Sequence, residues 1–350
     1  MQRPRGTLGL ASDPRLPAAL VVLALAALVA TVALAGAGIF ATSGSSPSPS
    51  ASEIAAVSPT TSEAPTQAAT PTEAPTPTPT ATPAPAPTTP PFPALLAAIG
   101  DSYSQAYSVS PQYRYDHPQF SWVVGTAKDD GVLSLLERFG ALGASPIVVD
   151  AATSGRKMID AQRQAGLVVA AAKKLGPGQT AYVTFELGTN DLCDFPMTGP
   201  AEFQQQMSSA LTTLRTGLPA GSRILMLAVP DFPHFHEMTQ ADPNTRAALL
   251  IPRTSNCPPY LGTDARTSVA SSDYYLSKYN DILKADCDQM DVGAGTPPII
   301  CTYNAGLLAE SDFVASDLST YDYFHPSLSG QAKMAEAAWR ADAWASMPLP

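Results

Sequence analysis

The stretch DYFHP, residues 322–326, places a carboxylate and an imidazole three positions apart near the C-terminal end of the chain. A histidine whose ring is oriented by a carboxylate can take the proton of a serine hydroxyl, which on its own is a poor nucleophile near neutral pH. Such chemistry also needs hydrogen-bond donors for the oxyanion that develops on the attacked carbonyl. The missing parts must come from elsewhere in the sequence.

Three other polar stretches contain the residue types that would complete this set. Ser102, in GDSYS, is the candidate nucleophile, with His325 as its base and Asp322 as the group that orients the imidazole. The candidate oxyanion donors are the backbone N–H groups of Ser102 and Gly155 and the side-chain amide of Asn190, in GTND. Together the four stretches predict a Ser-His-Asp triad with an oxyanion hole.

Each stretch also has a plain structural interpretation. GDS suits a tight turn with a helix cap, GTND an Asx turn, and DYFHP a helix start with Pro326 at the first helical position. The acids beside the candidate residues, Asp101 and Asp191, fit turn and cap hydrogen bonds better than proton transfer. We therefore expect Asp101→Asn to lower stability more than catalytic rate. The order and placement of all four stretches favour the catalytic interpretation.

Five short apolar runs precede or frame these stretches and predict buried strands, because their apolar character is continuous rather than alternating. The runs are 94–100, 146–152, 181–188, 223–230 and 297–303, and the segments with helical patterns are 132–142, 158–175, 201–218, 272–290 and 328–347. Alternating strands and helices indicate a parallel sheet with helices on both faces. In such sheets a ligand binds beyond the carboxyl ends of the strands, where the candidate residues lie.

The set GDSYS, a glycine after the second strand, GTND and DxxHP, in that order, resembles the motifs of the GDSL, or SGNH, hydrolase family. The family's serine, glycine, asparagine and histidine fall on Ser102, Gly155, Asn190 and His325, while Tyr103 departs from the fourth letter of GDSL. The resemblance implies a three-layer α/β/α, flavodoxin-like fold with a five-stranded parallel sheet. It also implies hydrolysis of esters or thioesters through an acyl-enzyme, with no metal or nucleotide cofactor.

A narrower resemblance concerns the substrate. GTNDLCDF (188–195), with FSWVVGT (120–126) upstream and Cys257-Pro258 downstream, is similar to the phospholipase B branch of the family, which implicates lipid acyl chains. The predicted partner is thus an acyl ester, either a lipid or an acylated glycan. A deacetylase acting on cell-surface carbohydrate is the alternative within the family, and a non-catalytic wall-binding module is the alternative outside it.

The other histidines and the cysteines are the residues that could act as metal ligands. His234 and His236 form an HxH pair without a further ligand at suitable spacing, and His117 is expected to be exposed. An even number of cysteines in an exported chain suggests two disulfides, and the pairing Cys193–Cys257 with Cys287–Cys301 is preferred among the three possible, each bond contributing about 3 kcal/mol. A zinc site is the alternative to the disulfides, but no CxxC pair or ligand-spaced Cys/His cluster occurs in the sequence.

The segment 231–296 is longer than usual strand connections. It can form a cap or acyl-binding wall at the ligand edge, or an inert excursion that a disulfide pins to the fold. The sequence leaves both interpretations open.

The N-terminal residues predict export. Residues 1–16 carry Arg3, Arg5 and Arg15, and residues 17–41 are apolar and uncharged. A helix over 17–41 would be about 37 Å long, enough to cross a hydrocarbon core of about 30 Å. The arginines predict a cytoplasmic N-terminus, so 17–41 is a transmembrane anchor or, alternatively, a cleaved signal peptide. Both interpretations put the rest of the chain outside the cytoplasm, attached to the cell membrane or secreted.

Residues 42–93 are rich in Pro, Thr, Ala and Ser and predict a disordered linker, because this composition buries too little apolar surface to offset its ordering entropy. The catalytic domain is predicted at 94–350. The formal net charge of −10 argues against nucleic acid as a partner, and no basic face for anionic lipid is evident.

Overall fold

The computed structural model describes residues 91–241, 243, 257, 269–290, 298–304, 313–347 and 349. The predicted membrane span at 17–41 and nearly all of the predicted linker at 42–93 lie outside the described residues. Across the described ranges, no helix is both long and apolar enough to cross a membrane.

Five strands form one parallel sheet in the order β2-β1-β3-β4-β5. Their bounds are Leu95–Gly100 for β1, Ile147–Asp150 for β2, Ala181–Glu186 for β3, Arg223–Leu227 for β4 and Ile300–Asn304 for β5. Each strand coincides with one of the predicted apolar runs, to within a few residues at either end. The predicted α/β fold with a five-stranded parallel sheet is confirmed.

Burial differs between the central and the outer strands. Every residue of β1 and β3 is buried, as the continuous apolar runs predicted. The prediction was wrong for β2, where Ile147 is 54% and Val148 is 40% exposed. The physical reason is the strand order, because β2 lies at the edge of the sheet and pairs on one side only.

Helices fill most of the connections between the strands. In the described ranges the α-helices are α1 Leu135–Ala141, α2 Ala161–Ala172, α3 Thr189–Cys193, α4 Pro200–Gly217, α5 Phe232–Ala241, α6 Val269–Asp288 and α7 Leu328–Arg340. The predicted helices are all present, and three of the five are shorter than predicted. A reciprocal capping box formed by Ser134 and Glu137 starts α1. The sequence patterns did not predict α3, which has only five residues, or α5.

The helices lie on the two faces of the sheet and make three layers. The connections β2–β3, β3–β4 and β4–β5 cross the sheet in one direction and β1–β2 in the other, so right-handed crossovers put α1 opposite to α2, α4 and α6. Consistent with this, α2 packs on α4 and α4 on α6, whereas α1 packs on α7. An ion pair of 2.7 Å between Arg138 of α1 and Glu336 of α7 joins the second pair of helices.

Both preferred disulfides are present. Cys193, the last residue of α3, is bonded to Cys257. Cys287 of α6 is bonded to Cys301 of β5. These bonds use all four cysteines, so the zinc alternative for them was wrong.

The end of β1, which leads into the candidate nucleophile, is fixed by one buried side chain. The Gln164 side chain of α2 accepts a hydrogen bond from the Gly100 N–H at 2.8 Å and donates one to the Gly100 carbonyl at 3.0 Å. Gln164 is fully buried. It thereby satisfies the backbone of Gly100 two residues before Ser102.

We predict that Gln164→Leu lowers the free energy of unfolding by about 1–3 kcal/mol, because the buried Gly100 N–H loses its acceptor. Urea unfolding followed by circular dichroism measures this. Gln162→Leu, an exposed position on the same helix, is the matched control and should change stability by less than about 0.5 kcal/mol. Equal effects of the two substitutions would contradict the role given to Gln164.

Candidate active site

The candidate residues that follow four different strands, β1, β2, β3 and β5, meet at one cavity of about 340 Å³. Its described lining residues are Ser102, Tyr107, Ser154, Gly155, Asn190, Cys193, Asp194, Cys257, Phe324 and His325. The structure therefore brings Ser102, Gly155, Asn190 and His325 together at the carboxyl edge of the sheet. Asp322 does not line the cavity and is 2% exposed.

The serine, histidine and aspartate form one continuous line of hydrogen bonds. The Nε2 atom of His325 lies 2.9 Å from the Ser102 Oγ atom. On the other side of the ring, Nδ1 lies 2.7 Å from Oδ2 of Asp322. All three side chains are buried, so both bonds form in a site of low dielectric, where their strength is greatest.

The DYFHP stretch is folded around the Asp322 carboxylate. Its Oδ1 atom accepts hydrogen bonds from the backbone N–H groups of Phe324 (3.1 Å) and His325 (3.0 Å), which leaves Oδ2 for the imidazole. Tyr323, which lies between Asp322 and Phe324, has a left-handed backbone with φ of 52°. The three-residue spacing therefore lets one carboxylate fix both the turn and the ring.

The helix-start interpretation of this stretch was wrong in position. Helix α7 begins at Leu328, and its N-cap is Ser327, whose side chain accepts a hydrogen bond from Gly330 N–H. Pro326 thus precedes the cap instead of occupying the first helical position. The Tyr103 hydroxyl donates to the Phe324 carbonyl at 2.9 Å and ties this loop to the nucleophile loop.

The three predicted oxyanion donors are not equivalent in the structure. Within the described part of the chain, the backbone N–H groups of Ser102 and Gly155 donate to no protein acceptor. Gly155 has a φ of 76°, a left-handed conformation that favours glycine. The Asn190 amide, by contrast, already donates to Asp101 Oδ2 and to the Arg156 carbonyl, both at 2.9 Å.

Asn190 lies in α3 rather than in the simple Asx turn that GTND suggested. Gly188, before the helix, has a φ of 128°, and a Cβ atom there would come within 2.5 Å of Val229. Asp191 makes a long-range bond rather than a local cap, because its Oδ2 atom accepts from the Met158 N–H at 2.8 Å. Burial raises the pKa of Asp191 to about 6.

Asp101 has more than the predicted turn role. Its Oδ1 atom accepts from the Tyr103 N–H at 3.0 Å, as a turn would require, but its Oδ2 atom orients the Asn190 amide. Sequence reasoning missed the second contact, since the two residues are 89 positions apart. The expectation of a purely structural Asp101 is therefore revised.

A second buried carboxyl lies beside Asp101. Glu186, at the end of β3, accepts hydrogen bonds from the Ser104 hydroxyl at 3.0 Å and from the Asp101 N–H at 3.4 Å. Burial raises the pKa of Asp101 to about 7, and burial together with the negative charge of Asp101 raises the pKa of Glu186 well above its ordinary range. This pair of carboxyls therefore holds a proton near neutral pH.

Tyr107 is a cavity residue that sequence reasoning missed. Its ring centroid lies 4.7 Å from that of His325, at a tilt of 46°. The flanking Ala106 and Ser108 both have left-handed φ angles, 47° and 50°. The sequence has no glycine at these positions that would have indicated the turn. Residues with such backbone angles tend to cluster at functional sites.

The histidines that were set aside lie away from the cavity lining. His234 Nε2 lies 3.1 Å from the Phe313 carbonyl oxygen, and His117 Nε2 lies 2.9 Å from that of Arg114. His117 is partly buried rather than exposed, because its ring packs on Tyr113 and Phe120. Among the residues that the structure describes, no group of three or more His, Cys, Asp or Glu is arranged to hold a metal ion.

Comparison with known proteins gives one family and several similar folds. The family model described as GDSL-like Lipase/Acylhydrolase matches residues 96–338, from β1 to α7 and across the whole site. The crystal structure of TesA is 19% identical over 71% of this chain and 97% of that chain, with a TM-score of 0.44. No curated protein sequence matches this chain.

Two further solved structures are similar at lower identity. A psychrotrophic esterase EstA from Pseudoalteromonas sp. is 16% identical over 71% of this chain and 96% of that chain, with a TM-score of 0.40. Est24, described as a carbohydrate acetylesterase from Sinorhizobium meliloti, is 14% identical over 72% of this chain and 99% of that chain, with a TM-score of 0.40.

We predict that Glu186→Gln weakens the pH dependence of stability. Because burial raises the folded-state pKa of Glu186 and Asp101, their stability contribution is complete below the unfolded-state pKa and is lost as the pH rises through the folded-state pKa. The free energy of unfolding of the native protein should therefore fall between about pH 5 and pH 8. The variant should match it at pH 5 and exceed it at pH 8 by about 1 kcal/mol or more.

Denaturant unfolding at a series of pH values measures this difference. Glu202→Gln, an exposed position on α4, is the control and should retain the native pH dependence. If the free energy of unfolding of Glu186→Gln followed that of the native protein at every pH, the proton assigned to the Asp101–Glu186 pair would be refuted.

Proposed function

This chain belongs to the GDSL-like lipase/acylhydrolase family and is a carboxylic ester hydrolase, and we propose that it cleaves its ester outside the cytoplasm through an acyl-enzyme on Ser102. The observation that carries the proposal is the line of hydrogen bonds from Asp322 through His325 to Ser102, at 2.7 and 2.9 Å. It ends at the wall of a cavity that has room for an ester group.

In the proposed acylation step, Ser102 Oγ attacks the ester carbonyl while His325 Nε2 takes its proton. The Asp322 carboxylate keeps the other ring nitrogen protonated and stabilises the imidazolium that forms. His325 then gives the proton to the departing alcohol, and the acyl group stays on Ser102. In deacylation, His325 takes a proton from water as the water oxygen adds to the acyl carbon. His325 then returns the proton to Ser102 Oγ as the bond to the acyl carbon breaks, which releases the acid and restores the serine hydroxyl.

The proposed oxyanion donors are Ser102 N–H, Gly155 N–H and the Asn190 amide. The first two are without protein acceptors within the described residues. Asn190 would turn one N–H from the Arg156 carbonyl, at the exposed side of the site, towards the oxyanion. Its other N–H stays on Asp101, which thereby acts as a positioning residue.

The location outside the cytoplasm has two lines of support. The arginines before the apolar stretch at 17–41 predict that the following chain is exported. Two disulfides within the described residues are typical of proteins from oxidising compartments. We propose that the enzyme is attached to the cell membrane if 17–41 is retained and secreted if it is cleaved.

The proposed substrate is an ester with an apolar acyl chain. The resemblance of GTNDLCDF to the phospholipase B branch supports this choice, and the aromatic rings of Tyr107 and Phe324 give the cavity apolar surface. An acylated glycan is the competing substrate, and acyl chain length distinguishes the two.

We predict that Ser102→Ala lowers kcat for p-nitrophenyl acetate by about 10⁴-fold or more, because the nucleophile is lost. Release of p-nitrophenol, with circular dichroism as a check of folding, measures this. Ser208→Ala, exposed on α4, is the control and should keep full activity. Full activity of the Ser102→Ala protein would refute the proposal.

The same assay over a series of ester chain lengths identifies the substrate class. A preference for longer acyl chains supports the lipid ester, and a preference for acetate supports the acylated glycan.

We predict that Asp101→Asn lowers kcat by about tenfold or more, with a smaller effect on KM. Asp101 accepts from Tyr103 N–H and from the Asn190 amide through two different oxygens, and asparagine would place an NH₂ group in one of these two positions. The Asn190 donor is then misplaced, and oxyanion donors contribute about 10²-fold or more. Asp150→Asn is the control, because the Asp150 carboxylate accepts from Gln105 at 2.8 Å and does not contact Asn190. A lower melting temperature with unchanged kcat would leave Asp101 a structural role only.

A further inference from the structure

We propose that the Cys193–Cys257 disulfide is part of the substrate-binding surface and determines which apolar group the ester can carry next to Ser102. This inference rests on the proposed ester hydrolysis at Ser102 and concerns specificity, not the chemical step. The disulfide is then a specificity-determining contact as well as a covalent cross-link between two segments of the chain.

The first observation is the position of the bond. Cys193 and Cys257 both line the cavity that contains Ser102 and His325. They are largely buried, 6% and 3% exposed, and both contribute to the wall of the cavity. Disulfide sulfur is apolar and polarisable, and such a wall favours contact with an acyl or alkyl group.

The second observation is the link between this wall and the oxyanion site. Cys193 is the last residue of α3, three positions after Asn190. The Asp194 N–H donates to the Asn190 carbonyl at 3.2 Å and closes the same turn. The bond to Cys257 therefore restrains the short helix that carries a proposed oxyanion donor, so wall and donor occupy fixed positions relative to each other.

The third observation is backbone strain at Cys257. Its φ is 50°, in the left-handed region that residues with a Cβ atom rarely adopt. Such a conformation persists where the surroundings impose it, often at ligand sites. The side chain of Cys257, which is bonded to Cys193, lies at the cavity.

The chain also supplies a matched comparison. The disulfide Cys287–Cys301 joins α6 to β5, and neither cysteine is among the described residues of the cavity lining. Both bonds restrain the fold, but only Cys193–Cys257 borders the reacting serine. A difference between the two in substrate choice therefore separates a binding role from a general stabilising role.

The rim next to this wall is charged. Asp194 lines the cavity after Cys193, and its carboxylate forms an ion pair of 3.3 Å with Lys157. The apolar sulfur surface is thus bordered by a polar rim, which suits an ester whose apolar group lies inward and whose polar remainder faces solvent.

Two double variants of the full chain test the proposal: Cys193→Ala with Cys257→Ala, and Cys287→Ala with Cys301→Ala. The measured quantity is the ratio of kcat/KM for p-nitrophenyl octanoate to that for p-nitrophenyl acetate. We expect this ratio to change at least about fivefold in the first variant, whose wall is lost, and less than about twofold in the second. Equal changes in both variants, or no change in the first, would overturn the proposal.

A measurement on the native protein decides the question even where a variant does not fold. Ser102 is labelled with an alkyl phosphonate, and the two disulfides are then reduced with dithiothreitol and followed by alkylation and peptide mass spectrometry. We expect the bound alkyl group to slow reduction of Cys193–Cys257 several-fold and to leave Cys287–Cys301 unchanged.

The labelling step separates this proposal from the one on which it rests. Labelled Ser102 with equal protection of both disulfides, or with none, would overturn the substrate-contact role of Cys193–Cys257 alone. Failure of the phosphonate to label Ser102 in the folded protein would overturn the proposed function, and the disulfide's role in it would fall as well.

Discussion

The hydrogen bond between the His325 imidazole and the Ser102 hydroxyl is the contact on which the rest of the structure depends. It joins residues 223 positions apart, so it forms only when the end of β1 and the loop before α7 reach the same edge of the sheet. In the order β2-β1-β3-β4-β5, strand β1 lies between β2 and β3. The candidate residues that follow β2 and β3, Gly155 and Asn190, therefore lie on either side of the end of β1. Asp322 completes the arrangement because one of its oxygens fixes the turn and the other orients the imidazole ring.

Behind the serine, the fold buries two carboxyls that a purely structural core would not need. Asp101 and Glu186 lie side by side at the ends of β1 and β3, and their raised pKa values reflect the cost of placing ionised groups there. The contact with Asn190 explains why Asp101 is buried here, because the Asp101 carboxylate accepts a hydrogen bond from the Asn190 amide. Burial therefore favours the protonated form of this pair, while the Asp101 side chain keeps the Asn190 amide in position.

Helix α3 connects this donor to the outer part of the molecule. Within five residues it carries Asn190, anchors itself to the Met158 N–H through Asp191 and ends in the disulfide to Cys257. The long segment between β4 and β5 therefore reaches the cavity through a covalent bond, which favours a wall over an inert excursion. Membership of the GDSL-like lipase/acylhydrolase family accounts for ester hydrolysis, whereas the choice among esters is what we propose for surfaces such as this one.

The sequence by itself determined the residue types of the site and the strand that each follows, because a parallel sheet gathers its carboxyl ends and these signals are local. For the cysteines it gave only a preference for one of three pairings. DYFHP, for example, contains its own carboxylate and imidazole at a spacing that one tight turn can use. Only the tertiary structure decided that β2 is exposed, that Asp101 contacts Asn190, and that Tyr107 and Cys257 line the same cavity as Ser102. These features arise from contacts between distant segments, and their geometry is set by packing in three dimensions, which no local spacing encodes.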